Sequence, residues 1–294
     1  MRTPTTSSGA TAPTQILEVG ERQRYAYRRF GKGAAPPLLF LQHFTGTLDN
    51  WDPAVTDPLA AAREVILFDN AGVGGSTGDV PRTIAAMAEH ALAFLDALDV
   101  TICDVLGFSL GGMIAQQLVR DRPSIVRRMI LVGTAPRGGE DIMHIDKPSL
   151  AKVFGDKSLG GYARLPKLFF AQSESSQAAA AAFIARLEQR SGDRDVAAGP
   201  KVAEAQVAAF REWERFVGER FADLRGIDHP ALVAHGIYDE MIPVSNAYWL
   251  SRHLPNAVLM TYPDSAHGCL FQFHESFTRQ AAAFLASESE FAPY

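Results

Sequence analysis

Thr101-Ile102-Cys103-Asp104-Val105-Leu106-Gly107-Phe108-Ser109-Leu110-Gly111-Gly112-Met113-Ile114-Ala115-Gln116-Gln117-Leu118-Val119 is the stretch that decides the fold. Its first six residues read as a strand and Leu110 to Val119 as a helix, so Gly107 to Gly111 must form a sharp turn between them. Gly-x-Ser-x-Gly arises by chance in about one chain in ten of this length, so the pattern alone decides little. The strand-turn-helix setting gives it weight. A turn that tight needs residues without side chains beside the serine, and it holds the hydroxyl out at the carboxyl edge of a sheet. The helix N-terminus beneath offers N–H groups to negative charge.

The same alternation of short apolar runs and amphipathic helices extends outward on both sides. Ile16 to Val19 and Arg24 to Phe30 can pair as strands before the apolar run Leu38 to Leu41. Val65 to Phe68 is a further run. A helix follows whose Ile84, Met87, Ala91, Phe94, Leu95 and Leu98 recur at three and four, with Thr83 as N-cap. Met129 to Val132 is the strand after the deciding helix, with Arg127 and Arg128 as its solvated start. The pattern stops at Pro136 and resumes at Pro230 with Ala231 to Ala234, a helix near Val244 to Leu254, Val258 to Tyr262 and a last helix from Phe271 to Leu285. Parallel strands covered on both faces produce such a pattern. The expected organisation is a mobile tail at 1–14, an α/β core from 15–136 and 229–294, and a helical cap at 137–228. Within the cap, Ser176 to Gln189 and Lys201 to Val217 are the clearest helices, and the polar stretch Ser191 to Pro200 joins them.

Composition narrows the class. The chain has 294 residues, 47% hydrophobic and 21% charged, enough for a large core in an ordinary globular protein. No apolar run reaches membrane-spanning length, and the polar start MRTPTTSSGATAPT lacks the apolar core of a secretory signal, so a cytoplasmic protein is expected. A net charge of -5 without clustered Lys and Arg argues against a nucleic-acid partner. Cys103 and Cys269 have no metal-type spacing and read as reduced thiols, and no ligand cluster or phosphate loop calls for a metal or organic cofactor. A small-molecule substrate is the remaining partner.

A serine hydroxyl needs a base within hydrogen-bond reach. His267, in the loop Tyr262-Pro263-Asp264-Ser265-Ala266-His267-Gly268 after the last strand, is the candidate; His235 at a strand end and His253 in a helix read as structural or surface residues. The base must be fixed in one tautomer by an acid, and Asp239 stands directly after the strand that resumes the fold. Glu240 and Asp264 are its rivals. Glu240 faces the other side of the loop, and Asp264 is placed to support its own turn.

Serine, acid and histidine in that order resemble the α/β-hydrolase superfamily over about residues 20 to 288. Asp69-Asn70-Ala71-Gly72-Val73-Gly74-Gly75-Ser76 is similar to the family's Asp-x-x-Gly-x-Gly-x-Ser loop. Gln42-His43-Phe44, seven residues before Trp51, stands where the family has His-Gly-Phe. The resemblance implies a mostly parallel sheet with a late helical cap and an oxyanion hole from the Phe44 and Leu110 N–H groups. It departs at His43, whose side chain either enters the pocket or packs beneath the loop; packing is favoured. With Ser at the turn, the resemblance points to small esterases, lactonases and cofactor-free perhydrolases or haloperoxidases. The cap also suits carbon–carbon bond hydrolases, and slow-turnover ligand receptors share the fold. The expected reaction is hydrolysis of a small, largely apolar carboxylic ester. Phe169, Phe170 and Trp213 are candidate pocket residues beside His43; with Phe183 and Phe210 they are the cap aromatics, most of them cap core.

Overall fold

A computed structural model describes residues 8–287. Eight strands form one sheet: β1 (Gln15–Val19), β2 (Gln23–Gly31), β3 (Ala35–Leu41), β4 (Arg63–Phe68), β5 (Cys103–Phe108), β6 (Val126–Val132), β7 (Ala231–Gly236) and β8 (Ala257–Tyr262). They lie in the order β1-β2-β4-β3-β5-β6-β7-β8. The β1–β2 and β2–β4 pairs are antiparallel and every later pair is parallel. Consecutive residues of β5 and β7 are buried without alternation, because helices cover both faces of a parallel sheet. The helices of the core are α1 (Pro53–Ala60), α2 (Ile84–Ala97) and α3 (Leu110–Asp121), which precede the insert. Between β6 and β7 the chain leaves the sheet for α4 (Pro148–Gly155), α5 (Leu165–Phe169), α6 (Glu174–Leu187) and α7 (Pro200–Trp213). It returns through β7 to α8 (Ser245–His253), α9 (Cys269–Gln272) and α10 (His274–Ala286).

Strand order reverses direction at β3, with β4 on one side and β5 on the other. At such a point the connections leave in opposite directions and open a crevice at the carboxyl ends of the strands. Residues following β3 and β5, which include Phe44 and Ser109, therefore share that crevice.

The structure corrects several expectations. β5 begins at Cys103, not Thr101, and extends to Phe108, so the strand runs right up to Ser109. α7 stops at Trp213, leaving Val217 fully exposed, and the expected last helix is broken at Phe273. Arg127 and Arg128 are not a solvated strand start. β6 opens at Val126, Arg127 reaches the buried Asp104 carboxylate at 2.6 and 2.9 Å, and Arg128 is buried against the Phe284 ring. The segment read as a tail is tied down over its described part. The Gly9 N–H donates to Asp57 Oδ1, Arg190 donates to the Ala10 and Ala12 carbonyls, and Ala12 is fully buried. Residues 1–7 lie outside the described residues.

Candidate active site

Ser109 sits between β5 and α3 with φ 56° and ψ −116°, a conformation that an L-residue adopts only when its surroundings enforce it. The enforcement is visible. A Cβ at Gly107 would lie 2.3 Å from the Gly111 carbonyl oxygen, and one at Gly111 would lie 2.0 Å from that of Leu41. Ser109 N–H donates to Val132 O at 2.8 Å, and its own carbonyl accepts from Thr134 Oγ1 at 2.7 Å and from Gly112 N–H at 2.9 Å. The backbone is fixed on both sides while Oγ is buried and carries no hydrogen bond.

His267 and Asp239 meet at the neighbouring strand ends. His267 Nδ1 lies 2.6 Å from Asp239 Oδ2, and the Met241 and Ile242 N–H groups donate to Oδ1 at 2.9 and 3.0 Å. Burial alone would push the Asp239 carboxyl up, but the charge and hydrogen bond of His267 and the hydrogen bond of His235 hold it well below the usual carboxylate range. An ionised Asp239 takes the Nδ1 proton of His267 as a hydrogen bond and leaves Nε2 as the lone pair. That nitrogen is buried and has no partner. Asp264 faces elsewhere, accepting from Ser175 Oγ at 2.6 Å, and Glu240 is exposed.

The sequence reads His235 as a structural or surface histidine. It is fully buried, with Nε2 2.8 Å from Ile242 O and 3.0 Å from Asp239 Oδ2, and so it helps satisfy the same carboxylate. Its place four residues before Asp239 at a strand end was the available signal.

The loop after β3 is wired by its own side chains. Gln42 accepts from the His43 N–H at 2.9 Å and donates to Thr47 O at 2.6 Å. His43 is buried; its Nδ1 lies 2.9 Å from Phe44 O, and its ring packs edge-on against Phe108 and Phe169. Burial lowers the His43 imidazole to about 3, the Phe44 carbonyl opposing the drop and His267 adding to it, so the ring is neutral and Nδ1–H is the donor. Among the described residues no acceptor is paired with the Phe44 N–H, and Leu110 is the first residue of α3, where the N–H has no intrahelical partner.

The insert closes over these groups. Phe169 O accepts from Gly268 N–H at 2.8 Å, Phe170 bridges Ser265, and the Phe169 ring lies 5.7 Å from that of His267. Phe170 turns instead toward Phe183, while Trp213 Nε1 donates to Ala135 O with Arg137 over its ring. Phe271, which the sequence did not single out, joins Phe108, Phe169 and Phe183 in one aromatic wall. Ser109 and His267 have no exposed surface. A surface groove of about 560 Å³ lined by Arg120, Arg137, Glu212 and Phe216 contains neither. Among the described residues, no helix is long and apolar enough to cross a membrane, and no group of three or more His, Cys, Asp or Glu side chains could hold a metal ion.

Comparison with known proteins places this fold. A family model described as alpha/beta hydrolase fold matches residues 36–273. The solved alpha/beta hydrolase fold protein from Chitinophaga pinensis superposes with a TM-score of 0.89 at 42% identity, over 96% of this chain and 100% of that one. A 2-hydroxymuconate semialdehyde hydrolase from Pseudomonas putida is 27% identical over 94% of this chain and 97% of its own. Est816, described as an N-acyl homoserine lactone degrading enzyme, superposes with a TM-score of 0.71 at 25% identity, over 92% of this chain and 100% of that one. This chain belongs to the alpha/beta hydrolase fold family and is a hydrolase.

Proposed function

We propose that this chain cleaves a small, largely apolar carboxylic ester or lactone through an acyl-enzyme on Ser109. The observation that carries the proposal is a serine held at φ 56° on the N-terminus of α3, directly after Phe108, whose ring lies 5.0 Å from that of a histidine with its Nδ1 fixed 2.6 Å from a buried carboxylate. His267 Nε2 takes the Ser109 proton as Oγ attacks the substrate carbonyl. The negative oxygen of the tetrahedral intermediate is stabilised by the Phe44 and Leu110 N–H groups, each worth about 10²–10³ in turnover. Collapse expels the alcohol, protonated by His267, and leaves the acyl group on Ser109. Water then attacks with His267 again as base, and the acid departs. Asp239 stays ionised throughout and stabilises the imidazolium.

Similarity to a semialdehyde hydrolase over nearly the full length of both chains supports a second reading, in which the bond cleaved is carbon–carbon within a vinylogous diketone. Steady-state assays with p-nitrophenyl acetate and a vinylogous diketone separate the readings. Sustained release of nitrophenol over many turnovers is the expected result; one turnover per chain and no more would indicate a ligand receptor, and turnover of the diketone alone would favour carbon–carbon cleavage.

A further inference from the structure

We propose that Gln206, on α7 of the insert, reads a second acceptor oxygen on the acyl part of the substrate. Its side-chain oxygen accepts from the Thr45 N–H at 2.7 Å, which fixes the amide orientation and makes the other atom the nitrogen. That nitrogen is buried and has no hydrogen-bond partner, in a residue with no exposed surface. A buried donor without an acceptor is costly, and a ligand that supplies the acceptor removes the cost.

The helix places this donor at the Phe44 end of the crevice. α7 is pinned at Gln206 to Thr45, which follows β3, and at Trp213 to Ala135, which follows β6. Seven residues of helix span about 10 Å, and two strand spacings are about 9–10 Å. β5 lies between β3 and β6, so α7 crosses the carboxyl end of the strand that carries Ser109. Gln206 is adjacent to the Phe44 end of the crevice, and Phe210, one turn on, packs its ring against Phe44. His267, which protonates the leaving group, enters from the β8 side, beyond β6 and β7. The acyl group therefore extends toward Gln206. Thr45 itself has φ 56°, a strained conformation for a β-branched residue, and the Gln206 bond helps to hold it there next to the Phe44 N–H.

This inference rests on Ser109 acting as an ester hydrolase. The test uses p-nitrophenyl 3-methoxypropanoate and p-nitrophenyl pentanoate, which differ by one ether oxygen in place of a methylene. The ratio of their kcat/KM values is divided by the ratio of their hydroxide hydrolysis rates. The wild type should favour the ether by about tenfold, and the preference should vanish in Gln206→Met and in Gln206→Glu, whose carboxylate keeps an acceptor for Thr45 but cannot donate. A corrected wild-type ratio within about twofold of unity, or an equal preference in the variants, overturns the inference. If neither variant folds by circular dichroism, the wild-type ratio alone decides. Failure of the wild type to hydrolyse either ester would overturn the ester reading on which the inference rests.

Discussion

The sheet and the insert are both well packed, but they are held by different chemistry. In the sheet, unbroken runs of buried residues such as Leu38 to Leu41 and Cys103 to Phe108 pair through backbone ladders, and the groups at their ends are positioned by close contacts of backbone on backbone. The insert is tied to the rest of the core chiefly by arginines. Arg186 grips the buried Asp52 at 2.6–3.1 Å, Arg190 reaches the carbonyls of residues 10 and 12, and Asp195 lies against Asp69 beside one shared donor, the Leu48 N–H. The lesson is a division of labour. A rigid sheet edge can hold reacting groups to a fraction of an ångström, whereas a polar seam can open, as it must if a substrate is to reach a serine with no exposed surface.

Substitution in the sheet should abolish chemistry without loosening the insert. Asp239→Asn keeps an oxygen for the Met241 and Ile242 N–H groups but turns an amide toward two histidine donors, so His267 is driven to the wrong tautomer. Turnover of an ester should fall by about 10⁴ with the melting temperature little changed. Asp264→Asn, which touches only the Ser175 side of the loop, should cost less than about threefold by comparison.

The opposite pattern is expected at the seam. Arg186→Met strands a fully buried Asp52 carboxylate that is left with the Ala54 N–H at the start of α1. The loss should be about 3 kcal/mol, a fall of about 6–12 °C in melting temperature by calorimetry. An unchanged melting temperature would mean that the insert is not held by this pair.

The smallest effect should be a gain. Burial, and then the neighbouring Asp195 carboxyl, push the Asp69 carboxyl well above its usual range, against the Gly75 and Leu48 N–H groups that favour the charge. The folded chain therefore binds more protons than the unfolded chain above the ordinary value of about 3.9, and this pair costs stability progressively as pH rises. Asp195→Asn keeps an acceptor for the Leu48 N–H and removes the repelling charge. It should raise the melting temperature by about 2–4 °C at pH 8, with the gain shrinking toward pH 4. A gain equal at both pH values would mean that Asp195 is not what raises the Asp69 carboxyl.

The sheet was legible because burial on two faces writes itself as apolar runs, and the Ser109 turn because its glycines are demanded by backbone contacts. Asp239 and His267 were legible as residues following strands. The insert was only half legible. Helical periodicity located α6 and α7, but nothing in the order of residues says that Phe169 faces the His267 ring while Phe170 faces Phe183. Gln206 left one trace, a polar residue within the stripe Val202, Phe210 and Trp213. Arg127 and Arg128 were misread because a charge at a strand start is usually solvated, and their partners Asp104 and the Phe284 ring come from elsewhere in the chain.

The proposed mechanism stands or falls on Ser109 as the nucleophile. Incubation with a fluorophosphonate probe followed by peptide mass mapping tests it directly. The adduct should be found on Ser109 in the wild type, be absent from Ser109→Ala, and accompany a loss of ester turnover of about 10⁴–10⁶ in that variant. An adduct on another residue, labelling that survives the substitution, or a loss below about tenfold would place the chemistry elsewhere.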